Sequence, residues 1–170
     1  MRAHISKKTD GFTIVELLIV IVVIGILAAI TIVAFNGVQD RSRYAKAQSD
    51  ISALNKAILL YYAENGSYPS TTAKTGCASN WCGWDQATGD NFIPGLAPKY
   101  ISVTPQMPTE NANADTYLYK SVDGTSYQLM RYRDNTNGGL PAVERSTSIM
   151  ALPNFNNLGW GYKSENVTWG

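Results

Sequence analysis

Residues 12–35 read FTIVELLIVIVVIGILAAITIVAF, and this apolar stretch decides the fold. A helix of about 24 residues rises roughly 36 Å, which is enough to cross the hydrocarbon core of a bilayer. The stretch contains one charged side chain, Glu16. The first proline of the chain is Pro69, so the sequence predicts that the helix continues well beyond the apolar stretch.

A short basic segment, MRAHISKKTDG, precedes the apolar stretch, and residues 1–11 are therefore predicted to be a leader. An ordinary secretory signal would have an apolar region of about 7–15 residues followed by a small-residue cleavage site. Here the apolar run is longer, and helical patterning continues directly out of it. The pattern disfavours an ordinary signal peptide, whereas a plain single-pass anchor stays an alternative on length alone.

Glu16 is the most informative residue because a carboxylate in hydrocarbon costs about 2.5–3.5 kcal/mol. One compensating group is the α-amine of Phe12, which exists only if the chain is cut after Gly11 and is largely protonated at neutral pH. That amine could pair with Glu16 of the same helix, four residues away, or with Glu16 of a neighbouring copy. The alternative is a carboxylate close enough to the helix end to stay hydrated.

The run Gly11–Val20, GFTIVELLIV, followed by IGILAAI at 24–30, resembles the amino-terminal signature of type IV pilins and of type II secretion pseudopilins. The strong resemblance covers residues 6–68. It implies an α+β fold in which a long amino-terminal helix packs on a small antiparallel sheet. It also implies cleavage between Gly11 and Phe12 by a prepilin peptidase that methylates Phe12.

The same resemblance implies what surrounds the protein. Before assembly, the subunit would be a single-pass protein held in membrane lipid with its carboxyl-terminal domain outside. An inner-membrane assembly platform would then add it to a helical filament of like copies at the cell surface. In that filament, Glu16 would pair with the Phe12 amine of a neighbour.

Residues 36–66 are predicted to form an amphipathic helix that continues the apolar one. Ala47, Ile51, Leu54, Ile58 and Tyr61 recur at spacings of four and three, which places them on one helix face. The stripe spans few heptads, so it favours packing on a sheet over a coiled-coil partner. The pair Asn65-Gly66 is predicted to end the helix.

Residues 67–170 are predicted to form a loop-rich antiparallel β head domain. The segments 116–122 and 125–133, joined by Asp123-Gly124, indicate a hairpin with a two-residue turn. In the first strand, Tyr117 and Tyr119 would share one face, with Leu118 and Val122 on the other. A third strand is predicted within 143–150, and the aromatic segment 160–169 would cover a sheet edge or form a surface loop.

The head contains the two cysteines, Cys77 and Cys82, which suggest one local disulfide outside the cytoplasm. Free thiols are the alternative; zinc is not expected, because two cysteines are only half a site. The oxygen-bearing side chains of Glu110, Asn111, Asn113 and Asp115 favour a solvated loop over a calcium site, since their spacing matches no fixed calcium loop.

Composition excludes several functions. The chain has one histidine, His4, which lies in the predicted leader, and its net charge is +1. The sequence therefore predicts no catalytic residues, no cofactor, no metal site and no specific nucleic-acid partner. A subunit of a type IV pilus-like filament is the first interpretation. The alternatives are a pseudopilin of type II secretion and a membrane-tethered monomeric surface-binding module; an enzyme is the weakest option.

Overall fold

The computed structural model describes residues 11–108, 115–134, 139–142, 144 and 158–165. One long helix, α1, runs from Ile14 to Asn65. Three strands follow: β1 (Asp115–Lys120), β2 (Gln128–Arg133) and β3 (Gly159–Lys163). The chain divides into two compact units, Met1–Gln39 and Asp40–Gly170. The predicted leader, apart from Gly11, lies outside the described residues.

The first unit holds the apolar part of α1. The window Ile14–Thr31 has a mean hydropathy of 3.0, and none of it is buried. The hydroxyl of Thr31 donates to the carbonyl oxygens of Leu27 and Ala28, at 3.0 and 2.9 Å. The helix thus satisfies this hydroxyl internally, as a segment in hydrocarbon requires.

The second unit holds the predicted stripe of α1. Ala47, Ile51, Leu54 and Ile58 are fully buried there, which confirms the prediction that this face packs on a sheet. The helix ends at Asn65, as predicted. Gly66 then adopts a φ of +72°, and its N–H donates to the carbonyl of Tyr62 at 2.8 Å. This left-handed residue is a common helix terminator, because glycine adopts it without a steric penalty.

The three strands form one antiparallel sheet in the order β1-β2-β3. Tyr119 lies opposite Leu129, and Met130 lies opposite Gly161. The two faces of the sheet are both covered, so β1 is buried along almost its whole length. The face packed with α1 carries Tyr117, Tyr119, Leu129 and Trp160, and the opposite face packs Leu118 and Met130 with Trp81.

The predicted hairpin forms, but its two-residue turn was wrong. Lys120 pairs with Gln128, so the connection is the seven-residue loop 121–127. The backbone of this loop bonds to another segment instead of closing on itself. The N–H of Thr71 donates to the carbonyl of Ser121 at 2.7 Å, and the N–H of Tyr68 donates to the carbonyl of Gly124 at 2.7 Å. As a result, Val122 lies outside the strand and is 45% exposed.

The third strand also differs from the prediction. Of the segment 143–150, the structure describes Glu144 alone, which lies in a helical turn. The third strand is β3, in the aromatic segment expected to cover an edge or form a loop; Trp169 lies outside the described residues. Glu110, Asn111 and Asn113 also lie outside them, and Asp115 begins β1.

Candidate functional site

The residues just before α1 form the first part of the candidate site. Gly11, Phe12 and Thr13 are non-helical and exposed, and Phe12 is 87% exposed. A Cβ placed on Gly11 would meet no atom of the described residues within 4 Å. Within the described part of the chain, crowding therefore does not require glycine at this position.

Glu16 closes a capping box with Thr13 at the start of α1. The Thr13 N–H and hydroxyl both donate to Oε2 of Glu16, at 2.8 and 2.7 Å. The Glu16 N–H donates back to Thr13 Oγ1 at 3.2 Å. The Thr-x-x-Glu pattern at 13–16 is the local signal for this arrangement, which was not among the predictions.

This cap changes how Glu16 should be understood. A helix amino terminus stabilises a carboxylate through its unpaired N–H groups and its dipole, so the side chain has a structural role within its own chain. The cap leaves the negative charge in place, however. In the uncut chain the nitrogen of Phe12 is an amide, so the pairing of Glu16 with a Phe12 amine stays a prediction.

The apolar stretch forms the second part of the candidate site. Its large side chains are extensively exposed: Ile14 is 85% exposed, Ile19 56% and Ile30 63%. Gly25 has open space where a side chain would stand. Monomeric soluble proteins rarely expose so large a continuous apolar surface. The surface therefore needs a partner from outside the chain, either lipid or other helices.

The disulfide predicted between Cys77 and Cys82 is present, with a Cα–Cα distance of 4.3 Å. It closes the loop that covers the outer edge of β1. Cys82 exchanges two backbone hydrogen bonds with Tyr119, each of 2.9 Å. A Cβ on Gly83 would lie 2.0 Å from the carbonyl oxygen of Tyr117, so the close approach requires glycine. The covered edge cannot pair with another strand.

A buried charged cluster joins β1, β2 and the turn at residue 144. Arg131 is 1% exposed and pairs with Asp115. Its Nε lies 3.4 Å from Oε2 of Glu144, which also accepts a 2.8 Å hydrogen bond from the indole of Trp160. Sequence reasoning missed this cluster, because charged residues on a strand ordinarily indicate a solvated face. In the described part of the chain, no group of three or more acidic, cysteine or histidine side chains could hold a metal ion.

Two family descriptions match the chain. The prokaryotic N-terminal methylation motif matches residues 6–32, which include Gly11, Phe12 and Glu16. Type II secretion system protein G matches residues 34–78. No solved structure matches the chain significantly.

Individual relatives agree with these matches. The chain is 41% identical over 132 residues to type II secretion system core protein G of Escherichia coli K12, covering 76% of this chain and 83% of the relative. It is 38% identical over 66 residues to core protein G of Aeromonas hydrophila, covering 39% of this chain and 46% of that relative. It is 30% identical over 125 residues to a fimbrial protein of Neisseria meningitidis serogroup B, covering 74% and 67%.

These similarities favour one of the interpretations left open by the sequence. The protein G match and the core protein G relatives support the pseudopilin alternative better than the type IV pilus subunit that ranked first. The named relatives are secretion-system and fimbrial proteins, which agrees with a structural role for the chain.

Proposed function

Because this chain belongs to the family of type IV pilins and type II secretion pseudopilins, we propose that it is a pseudopilin of the core protein G kind. It is made as a precursor, cut between Gly11 and Phe12 by a prepilin peptidase and methylated on Phe12. An assembly platform in the inner membrane then adds it to a short filament of its own copies.

The observation that carries this proposal is the exposed apolar surface of α1 with one carboxylate at its start. A helix that is apolar on every side is stable when lipid or other apolar helices surround it. Exchange of lipid for neighbouring helices costs little, because both surroundings are equally apolar. The small residues Gly25, Ala28 and Ala29 allow close approach of helices during this exchange.

The geometry at the helix start supports the processing step. Gly11 is exposed and has room for a side chain. Recognition by a peptidase active site would account for glycine at this position. Cleavage there converts the Phe12 amide into a charged amine four residues before Glu16. Thr13 already satisfies one carboxylate oxygen, and the amine of a neighbouring copy supplies the missing positive charge.

The disulfide supports the proposed orientation. Disulfides persist in oxidising compartments, so the bond between Cys77 and Cys82 supports a location of the second unit on the outer side of the membrane. The leader then stays in the cytoplasm, where its basic residues favour retention. The head would lie in the periplasm before assembly and along the filament surface afterwards.

Three substitutions separate the assembly role of Glu16 from its capping role. Glu16→Gln keeps the capping box, since glutamine serves at that position, but removes the charge. Thr13→Ala removes the cap partner but keeps the charge. Glu16→Ala removes both. Each variant is expressed as the full chain, and multimers are counted after cross-linking intact cells.

We expect Glu16→Gln and Glu16→Ala to reduce the yield of multimers at least tenfold while monomer persists in the membrane. Without the charge, assembly no longer recovers the cost of about 2.5–3.5 kcal/mol of holding an unpaired carboxylate in hydrocarbon. Thr13→Ala should assemble nearly normally. If Glu16→Gln assembles like wild type, Glu16 serves as a cap alone. If wild type itself yields one monomer band, the tethered surface-binding module replaces the filament subunit.

A type IV pilus subunit is the second candidate, and the similarity to a fimbrial protein favours it. The two candidates differ in the filament. A pseudopilin predicts short periplasmic filaments and loss of protein secretion when the gene is deleted. A pilus subunit predicts long surface fibres whose subunit begins at Phe12, with secretion unchanged.

A further inference from the structure

The second unit contains a groove of about 390 Å³ between the end of α1 and the loops beside β2 and β3. This volume falls in the range of small-molecule sites, and the lining combines aromatic rings with polar groups. Neither the filament role nor the processing step uses this groove. The lining residues used below are Tyr62, Tyr68, Thr125, Tyr127, Lys163 and Glu165.

Three tyrosine rings contact one another in series along the groove. The rings of Tyr62 and Tyr68 have centroids 4.4 Å apart and an interplanar angle of 22°. Tyr68 and Tyr127 are 4.6 Å apart at 48°. Tyr62 is 42% exposed, Tyr68 is half-buried and Tyr127 is 4% exposed. Tyr68 thus contacts both other rings, and the flat aromatic surface open to a ligand is that of Tyr62 at the rim.

The backbone holds these rings in place without a ligand. The N–H of Tyr68 donates to the carbonyl of Gly124 at 2.7 Å. The N–H of Tyr127 donates to Ser164 Oγ at 3.1 Å, and the N–H of Ser164 returns a bond to the Tyr127 carbonyl. The Tyr127 hydroxyl donates to Oδ1 of Asn55. A site fixed in this way loses little conformational entropy when it binds.

The charges at the groove argue against an ionic ligand. Lys163 and Glu165 both line it, so their charges offset each other. A cation would meet Lys163 as well as the ring faces, and an anion would meet Glu165. What the lining offers is flat aromatic surface beside hydroxyl groups. That combination suits a neutral molecule with one apolar face and many hydroxyls.

We propose that this groove binds a neutral pyranose sugar, whose C–H face stacks on the exposed ring of Tyr62 while its hydroxyls bond to groups at the rim. The axial C–H bonds of a pyranose form one apolar face, and weak C–H contacts with ring faces add to area burial. The hydroxyl of Thr125, which bonds to Asp123 through its own hydrogen, keeps acceptor capacity for a sugar hydroxyl.

The titration behaviour of the rings agrees with a neutral site. Burial, followed by the charges of Tyr62 and Glu165, raises the pKa of Tyr68. Burial raises the pKa of Tyr127 to about 12. Both phenols thus stay protonated and uncharged at neutral pH.

The test uses the full chain in a polyoxyethylene detergent, which carries no sugar headgroup that could compete. Saturation-transfer difference NMR is recorded with maltotriose, cellotriose and chitotriose. The first two present glucose, as secreted glucans do, and the third presents N-acetylglucosamine, as cell-wall glycan does. We expect transfer from aromatic protons to the sugar ring protons for at least one of the three.

Variants locate the signal. Tyr62→Leu keeps apolar area but removes an exposed ring, and should weaken binding about tenfold. Thr125→Val removes one rim hydroxyl from an exposed position and should weaken binding about fivefold. Tyr132→Leu, a half-buried tyrosine packed with Trp84 outside the groove, is the matched control and should bind as wild type.

Near-UV circular dichroism verifies that each variant keeps its folded head. Absence of transfer from all three sugars at concentrations around 10 mM overturns the proposal, since a drug-sized groove with a stacking surface should bind more tightly than that. Transfer that Tyr62→Leu and Thr125→Val both leave unchanged also overturns it, because the sugar would then lie elsewhere.

Discussion

The two halves of α1 have the same backbone but opposite surroundings. Ile19, in the first unit, is 56% exposed, whereas Ile51, in the second, is completely buried. The second half alternates apolar residues with charged ones, so one face meets the sheet and the other meets water. The first half is apolar on all sides. The difference indicates that the sequence of the first half suits packing with lipid or with other chains, whereas that of the second half suits packing with the sheet of its own chain.

The largest expected effect comes from preventing the first half from gaining its new amino terminus. Gly11→Val should leave the leader attached, because a branched side chain at the cleavage site blocks the proposed peptidase. We expect the mature mass to disappear from mass spectra and multimers to be lost completely. Gly37→Ala, at another glycine with open space around it, is the control and should be processed normally. An unchanged mature mass in Gly11→Val would disprove the cleavage assignment.

A matched pair of truncations measures the contrast between the halves. Leu54→Ala leaves a cavity in the core of the second unit and should lower the free energy of unfolding by about 3 kcal/mol. Ile19→Ala removes a side chain of similar size from the exposed half and should change it by less than about 0.5 kcal/mol. Urea unfolding of the full chain in detergent, followed by near-UV circular dichroism, gives both values. Equal losses would mean that the first half is also packed within the chain.

A smaller effect is expected at the covered edge of the sheet. The double substitution Cys77→Ser, Cys82→Ser should lower the free energy of unfolding by about 2 kcal/mol, since a short closed loop restrains the unfolded chain little. Reductant should lower the free energy of unfolding of wild type by the same amount and leave that of the double variant unchanged. If neither experiment lowers the free energy of unfolding, the backbone hydrogen bonds between Cys82 and Tyr119 are sufficient to hold the loop on the edge of β1.

The smallest effect is expected at the carboxyl end of α1, where Lys99 and then Tyr100 donate to Glu64 and hold the pKa of its carboxyl below the ordinary value. A carboxyl with a lowered folded pKa adds stability above its unfolded pKa and loses it as the pH falls through the folded one. In urea unfolding between pH 7 and pH 3, the free energies of unfolding of wild type and Glu64→Gln should therefore converge below about pH 4.5. A constant difference over this range would rule out the ion pair as its source.

Much of the fold could be predicted from patterns of residues that are close in sequence. The four-three spacing from Ala47 to Ile58 predicted the buried face, and Asn65-Gly66 predicted the helix end, because both depend on near neighbours. The alternation at 117–119 predicted correctly which strand residues share a face. The Thr13–Glu16 cap was equally readable, since its pattern lies within four residues.

Long-range contacts were not predictable in this way. The Asp123-Gly124 pair looks like a tight turn, yet Thr71, about 50 residues away, bonds to Ser121 and opens the loop. Arg131 on β2 looks like a surface residue until Asp115 and Glu144 surround it. Such pairings depend on tertiary structure, which overrides local propensity.

The most direct test of the account is a cross-link between Glu16 of one copy and the freed Phe12 amine of another. Membrane vesicles that carry ¹⁵N-labelled subunits are fused with vesicles that carry unlabelled subunits before assembly. The filaments are then treated with dicyclohexylcarbodiimide, which joins carboxylates to amines in apolar surroundings. The account predicts an amide-linked pair of peptides, one beginning at Phe12 and one containing Glu16, with mixed isotope composition. Cross-links of single isotope composition alone, or a Phe12 still joined to Gly11 in the assembled material, would contradict it.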